Sequence, residues 1–240
     1  MKKLFKNLII TLVIFCSVQP TNALSREQIK EYNLGEHLHM YITLDRGNDW
    51  YIDQGNTGRH SKDNCGPSVS AMITQFYNKD TEITGEKARE TIKNYGGWWT
   101  VYDVADFLKD QDLNVENYVD VERDRIKLEL IKGNLMVMCI DTTYLPYDSN
   151  GRINRFYDFR GGHFVLIKGY LETDKGIFYE VYDPNSFGKK YYNEDYQGKN
   201  RYFTEEDLFK SAENNWNYII VVSKPEKEHN NTDELESGTY

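Results

Sequence analysis

The sequence predicts an α+β fold in which a helical front half packs against an antiparallel sheet built from the back half. Three observations carry that prediction. Between Asn64 and Lys132 most apolar residues recur at helical spacing, from Leu135 to Val222 they fall in strand-like runs, and the βαβ alternation of a parallel sheet is absent. A chain of 240 residues is long enough for one domain with its own core. The hydrophobic fraction of 39% is ordinary, but 19 Tyr, 11 Phe and 4 Trp make the chain aromatic-rich, which suits surfaces that hold extended ligands. A net charge of −9 with no run of Lys and Arg in the body of the chain argues against nucleic acid and anionic membrane surfaces as partners.

Residues 1–23 have the parts of a secretory signal peptide. Lys2, Lys3 and Lys6 form a charged head, Leu8 to Val18 an apolar stretch too short to span a bilayer, and Thr21-Asn22-Ala23 a small-residue exit. Cleavage after Ala23 makes the expected location secreted or periplasmic, with no stable membrane insertion afterwards. Cys16 offers the alternative of a lipid anchor, but Phe15 is bulky where such a signal needs a small residue. Residues 24–49 read as an N-terminal extension lying against the domain, opening with the capping-box spacing of Ser25-Arg26-Glu27-Gln28. His37 and His39 lie in it without further ligands at suitable spacing, so no metal site is expected.

The domain proper is expected over residues 50–223. Val69, Met72, Ile73 and Phe76 fall at i, i+3, i+4 and i+7, one face of a buried helix. Pro67 suits its first turn, which places Cys65 at the N-terminus or one residue before it. Unpaired N–H groups and the positive dipole end favour a thiolate there, making Cys65 a candidate nucleophile. The plainer alternative is a small cysteine closing a turn. His60 is a candidate base, but a loop histidine five residues upstream is hard to orient.

Glu86 to Tyr95 and Thr100 to Asp110 read as two further helices, the second opened by a capping box. The Trp98-Trp99 pair between them reads as a hydrophobic staple under the helix start or as a substrate shelf. Leu113 to Val119 is a short strand, and Glu122 to Lys132 a charged helix stopped at Gly133-Asn134. Leu135 to Ile140 is a continuous apolar run, a buried central strand in which Cys139 is expected to act as a small hydrophobe. Cys65 is then a free thiol in an oxidising compartment, where a spare thiol is a liability unless it has a use.

Asp141 to Arg160 is a loop of about 20 residues carrying five aromatics, a length typical of lids and binding loops. Beyond it, His163 to Tyr170 and Gly176 to Tyr182 form a hairpin turning at Glu172 to Gly176. A ladder centred on position 173 sets His163 opposite or diagonal to Asp183, within reach of a carboxylate–imidazole hydrogen bond. An ordinary cross-strand polar pair is the alternative, although Gly161-Gly162 allows close approach of another chain at that point. Thr204 to Asp207 caps another helix, Tyr218 to Val222 closes the sheet, and residues 224–240 are a polar tail expected to be disordered.

Cys65, His163 and Asp183 are the parts of a cysteine nucleophile system: thiol, proton acceptor and the carboxylate that orients the ring. Gln54, 11 residues before Cys65, is a candidate oxyanion donor beside the Cys65 N–H, or else a plain loop glutamine.

Gln54, Asn64-Cys65-Gly66-Pro67, Gly161-Gly162-His163-Phe164-Val165-Leu166 and Val181-Tyr182-Asp183-Pro184-Asn185, in that order, resemble the C39-like branch of the papain-like cysteine peptidases from about Trp50 to Val222. The resemblance implies a papain-like fold, with the nucleophile helix packed against a twisted antiparallel sheet. It further implies a Cys65–His163–Asp183 triad that hydrolyses a peptide or isopeptide bond in a peptide or protein substrate through a thioester, without metal or organic cofactor. Two departures stand out. The glutamine-to-cysteine loop is long, and the chain carries no transporter domain of the kind usually fused to bacteriocin-processing relatives, so a double-glycine leader substrate does not follow. The layout also admits an acyl transferase of transglutaminase or phytochelatin-synthase type, or a non-catalytic peptide-binding module. Nothing in the sequence sets an oligomeric state.

Overall fold

The computed structural model describes residues 24–93 and 96–225. The signal-peptide reading of residues 1–23 and the tail from 226 onward lie outside the described residues.

The helices form where the apolar spacing and the caps require them. In α1 (Arg26–Glu31), α3 (Gly85–Ile92), α4 (Val101–Asp110) and α6 (Glu205–Glu213), the side chains of Ser25, Thr84, Thr100 and Thr204 each accept the N–H of the third helical residue. Each such cap contributes about 1 kcal/mol. The expected capping boxes at Ser25/Gln28 and Thr100/Asp103 are both formed. Between α1 and α4 runs α2 (Cys65–Tyr77), buried continuously from Gly66 to Thr74. The charged helix is α5 (Arg123–Ile131).

Seven strands pair antiparallel in one open sheet. They are β1 (Leu38–Thr43), β2 (Asn114–Val119), β3 (Leu135–Asp141), β4 (Gly162–Thr173), β5 (Gly176–Tyr182), β6 (Arg201–Thr204) and β7 (Tyr218–Ser223), in the order β2-β7-β3-β4-β5-β6 with β1 added to β4. The 12-residue β4 organises the sheet. Along one edge it pairs first with β3 and then, beyond Lys168, with β1, while β5 lines its other edge. Two strands extend the expected set: β1, within the N-terminal extension, and the short β6.

Both faces of the sheet are covered by helices. Leu135, Val137, Phe164 and Leu166 pack with residues of α2, α3 and α4, and Met136, Met138, Ile140, Val165 and Ile167 pack with those of α5 and α6. The alternation along β3 and β4 sorts residues between the two cores by parity. The fold is thus α+β with an open antiparallel sheet, and the helical half is not confined to one side of it.

The hairpin register differs from the expected one. Its two-residue tip is Asp174-Lys175, with Thr173 opposite Gly176, so its centre lies beyond position 173. One extra residue on β4, Lys168, then shifts the pairing so that Leu166 faces Tyr182. Continuing that register sets Asp183 level with Val165, diagonal to His163 and on the same face. Without the extra residue Asp183 would be level with Leu166, on the opposite face, because a one-residue slip inverts every side chain. The bulge is pinned by its own side chain. Fully buried Lys168 Nζ donates to Glu180 Oε1 at 2.8 Å, Thr43 Oγ1 at 3.1 Å and Asn200 Oδ1 at 3.1 Å.

Candidate active site

The start of α2 fixes Cys65. Asn64, fully buried, donates through Nδ2 to Thr57 O at 2.9 Å and Thr57 Oγ1 at 2.8 Å, and its Oδ1 accepts from Arg89 Nε. Buried Arg89 also donates to Asp63 O at 2.8 Å, so one guanidinium holds the two residues that lead into the helix. Gly66 has no room for a side chain, since a Cβ there would lie 2.9 Å from Trp99 Cβ and 3.4 Å from the Phe164 ring. Cys65 is the first helical residue, where its N–H has no intrahelical acceptor.

The start of β4 and the end of β5 supply the partners. His163 Nε2 and Asp183 Oδ1 are 2.7 Å apart, and both residues are buried. Asp183 Oδ1 also accepts the Asn185 N–H at 3.0 Å, and Oδ2 accepts the Tyr157 hydroxyl at 2.8 Å. The carboxylate is therefore held by three donors, and the imidazole leaves Nδ1 as the nitrogen for the sulfur. Cys65 and His163 line one cavity of about 500 Å³ together with Gln54, Trp98 and Phe187.

The electrostatics of the pair favour charge separation. Burial alone pushes the Cys65 thiol up, but the hydrogen bond and charge of His163, with backbone hydrogen bonds at Phe164 and Gly66, hold it below the usual thiol range. Burial alone pushes His163 down, yet the Asp183 carboxylate and the Cys65 sulfur outweigh it and raise the imidazole to about 10. Both shifts act in the direction of a thiolate beside an imidazolium. Burial also pushes the Tyr157 phenol far above its ordinary range, so it remains a neutral donor.

Gln54 opens a 3-10 turn and is tied to the same place by backbone, its N–H donating to Pro184 O at 2.8 Å. Its Nε2 donates to Ser61 O at 3.0 Å, which uses one of two amide hydrogens, and its Oε1 is buried without a partner. Asp53 locks the turn to the loop after β5, its carboxylate accepting from the N–H groups of Gly55 at 3.0 Å, Phe187 at 2.8 Å and Gly188 at 2.7 Å.

The other residues singled out in the sequence divide. Exposed Trp98 lines the cavity and donates to Asp63 Oδ1 at 2.8 Å, whereas Trp99 is buried against Phe107. His60 sits against Gly96, outside the cavity lining. His37 and His39 are exposed, and no group of three potential metal ligands occurs among the described residues. No helix among them is long and apolar enough to cross a membrane. Cys139 is half-buried, accepts from Asn215 Nδ2 at 3.0 Å and is pushed up to about 12 by burial, which keeps it a thiol. Tyr157 is the residue that sequence reasoning left unassigned. Its signal was the aromatic content of the loop before His163.

No family model matches the chain, and no curated protein matches it. Among solved structures, the chain is similar to that of a "putative C39-like peptidase" from Bacillus anthracis, with a TM-score of 0.54 and 14% identity, covering 78% of this chain and 100% of the other. At that identity the similarity establishes a shared fold.

Proposed function

We propose that the chain is an exported cysteine peptidase of C39-like type that hydrolyses a peptide or isopeptide bond. The carrying observation is the Cys65–His163–Asp183 array, a half-buried thiol beside a buried imidazole that is held 2.7 Å from the buried Asp183 carboxylate. The Bacillus anthracis neighbour, described as a "putative C39-like peptidase", supports the reading through the shared fold. Export rests on the Lys2 to Ala23 sequence.

In this reading the Cys65 thiolate attacks the scissile carbonyl carbon, and the carbonyl electrons move to oxygen, where the Cys65 N–H and the Gln54 amide stabilise them. Each such donor is worth about 3 kcal/mol of barrier. The C–N bond breaks as the His163 imidazolium gives its proton to the leaving amine, leaving a thioester. His163, now neutral, takes a proton from water; the hydroxide displaces the sulfur and the acid departs. Asp183 supports the imidazolium while it exists and fixes the ring tautomer.

The test is alkylation of the mature protein with iodoacetamide. Cys65 is expected to label rapidly and Cys139 slowly, and the Cys65 rate reaches its plateau below the ordinary thiol range. Turnover is expected to hold until His163 loses its proton near pH 10, above which the leaving amine has no acid. Cys65→Ala and His163→Ala abolish peptide turnover, and Asp183→Ala lowers it less; unchanged turnover in either of the first two ends the assignment.

A further inference from the structure

Nine non-glycine residues have positive φ among the described residues, and six of them are Asn or Asp, for which the left-handed region is tolerated. Two of the other three are aromatic: Phe187, with φ of 46°, and Trp216, with φ of 71°. For a bulky side chain this backbone is strained and persists only where the surroundings over-determine it. They do so at both positions. The Phe187-Gly188 peptide is gripped by the Asp53 carboxylate. The Trp216 turn is held on both sides, Asn215 N and Asn217 N both donating to Ala212 O at 2.8 Å and Asn215 Nδ2 donating to Ile140 O at 2.9 Å.

Strain held this way keeps both rings out of the core. Phe187 is 44% exposed and Trp216 67%. Each lines a different cavity, and the two cavities adjoin at the same residues. Phe187 belongs to the cavity of about 500 Å³ that contains Gln54, and Trp216 to one of about 340 Å³ walled by Trp99, Val101 and Phe164. Cys65, Trp98, Gly162 and His163 line both, so the reactive pair stands at their junction. The larger cavity also carries Lys62 and Lys189 against Asp63 and Asp158, a balance of signs that selects for neither charge. The smaller one has no acidic or basic side chain besides the reactive pair and Cys139.

We infer that Phe187 and Trp216 are specificity-determining residues, two aromatic walls that bracket an extended peptide across the Cys65–His163 junction and select apolar or aromatic side chains on both sides of the amide. This substrate class rests on the proposed peptidase site, and binding separates the two readings. The full chain carrying Cys65→Ala is titrated, by fluorescence anisotropy, with labelled decapeptides whose residues around the central amide are either Leu and Phe or Asp and Ser. The apolar peptide is expected to bind at least about tenfold more tightly, a modest selectivity for apolar pockets. Phe187→Gly and Trp216→Gly, each added to that background, lower its affinity about tenfold, and each relaxes the preference on one side only. Neither lowers Tm, because glycine meets a positive φ at no steric cost. Equal affinity for the two peptides, or glycine variants that bind like their parent, overturns the inference. Selective binding by a protein whose intact thiol turns over no peptide keeps the walls and removes the peptidase.

Discussion

At the scale of single residues, the orienting carboxylate of the candidate site depends on a side chain from a loop. Asp183 Oδ2 has the Tyr157 hydroxyl at 2.8 Å, and the Tyr157 ring also stands edge to face with His163, centroids 5.8 Å apart. Removing that hydroxyl leaves a buried carboxylate oxygen without its donor, a loss of about 1–3 kcal/mol for such a group. Tyr157→Phe is therefore expected to lower thermal stability and to reduce kcat about tenfold with KM little changed, since the ring still packs while the carboxylate is less well fixed. A fall in KM alone would contradict this role. The His163 shift also links to folding. Its folded value lies above the unfolded one, so its contribution is complete below the unfolded value of about 6.5 and is lost as pH rises through about 10. The thiol, imidazole and carboxylate were legible from residue type, whereas a ladder centred on 173 misplaces the turn, and it is the extra residue at Lys168 that brings the carboxylate back to the imidazole's face. The hydroxyl was not, because five aromatics share one loop and nothing in their spacing says which of them turns inward.

At the scale of elements, the loop from Asp141 to Arg160 is held by buried cations, Arg155 within it, which donates to Leu145 O at 3.2 Å and to Tyr157 O, and Arg201 from outside it. Arg201, at the start of β6, donates to Gly151 O at 2.8 Å and Ile153 O at 3.0 Å, and also to Asn154 O. Its guanidinium stands over Phe156, 4.7 Å from the ring centroid. Arg201→Met leaves several carbonyls unpaired and is expected to destabilise the protein by about 3 kcal/mol in chemical denaturation. Access of a protease to the loop rises with it. The helices were predictable because caps and apolar spacing are local signals, and Thr100, Thr204 and Ser25 each cap as read. The strands β1 and β6 were not. The exposed first half of β1 carries no apolar run, and β6 is four residues long, so both are strands by virtue of the neighbours they meet.

At the scale of the whole molecule, two large cores meet on one sheet, a small third one forms under α1, and β4 carries residues of all three. A charged residue within its apolar run reads as an interruption in the sequence and is an organising point in the structure. Lys168 marks where β3 gives way to β1 and where the pairing with β5 shifts. Replacing it with Met strands Glu180 in the interior, a change that typically costs about 3–5 kcal/mol, and urea denaturation measures it. Glu180→Gln in the same chain should recover part of the loss.

That shift also governs which changes of chain length the hairpin can absorb. Residues added at the Asp174-Lys175 tip loop outward and leave every pairing below them as it was, whereas a single residue gained or lost between His163 and Lys168 sends the imidazole and its carboxylate to opposite sides of the sheet. The arm is therefore free to vary in reach but not in the odd-or-even count below its kink.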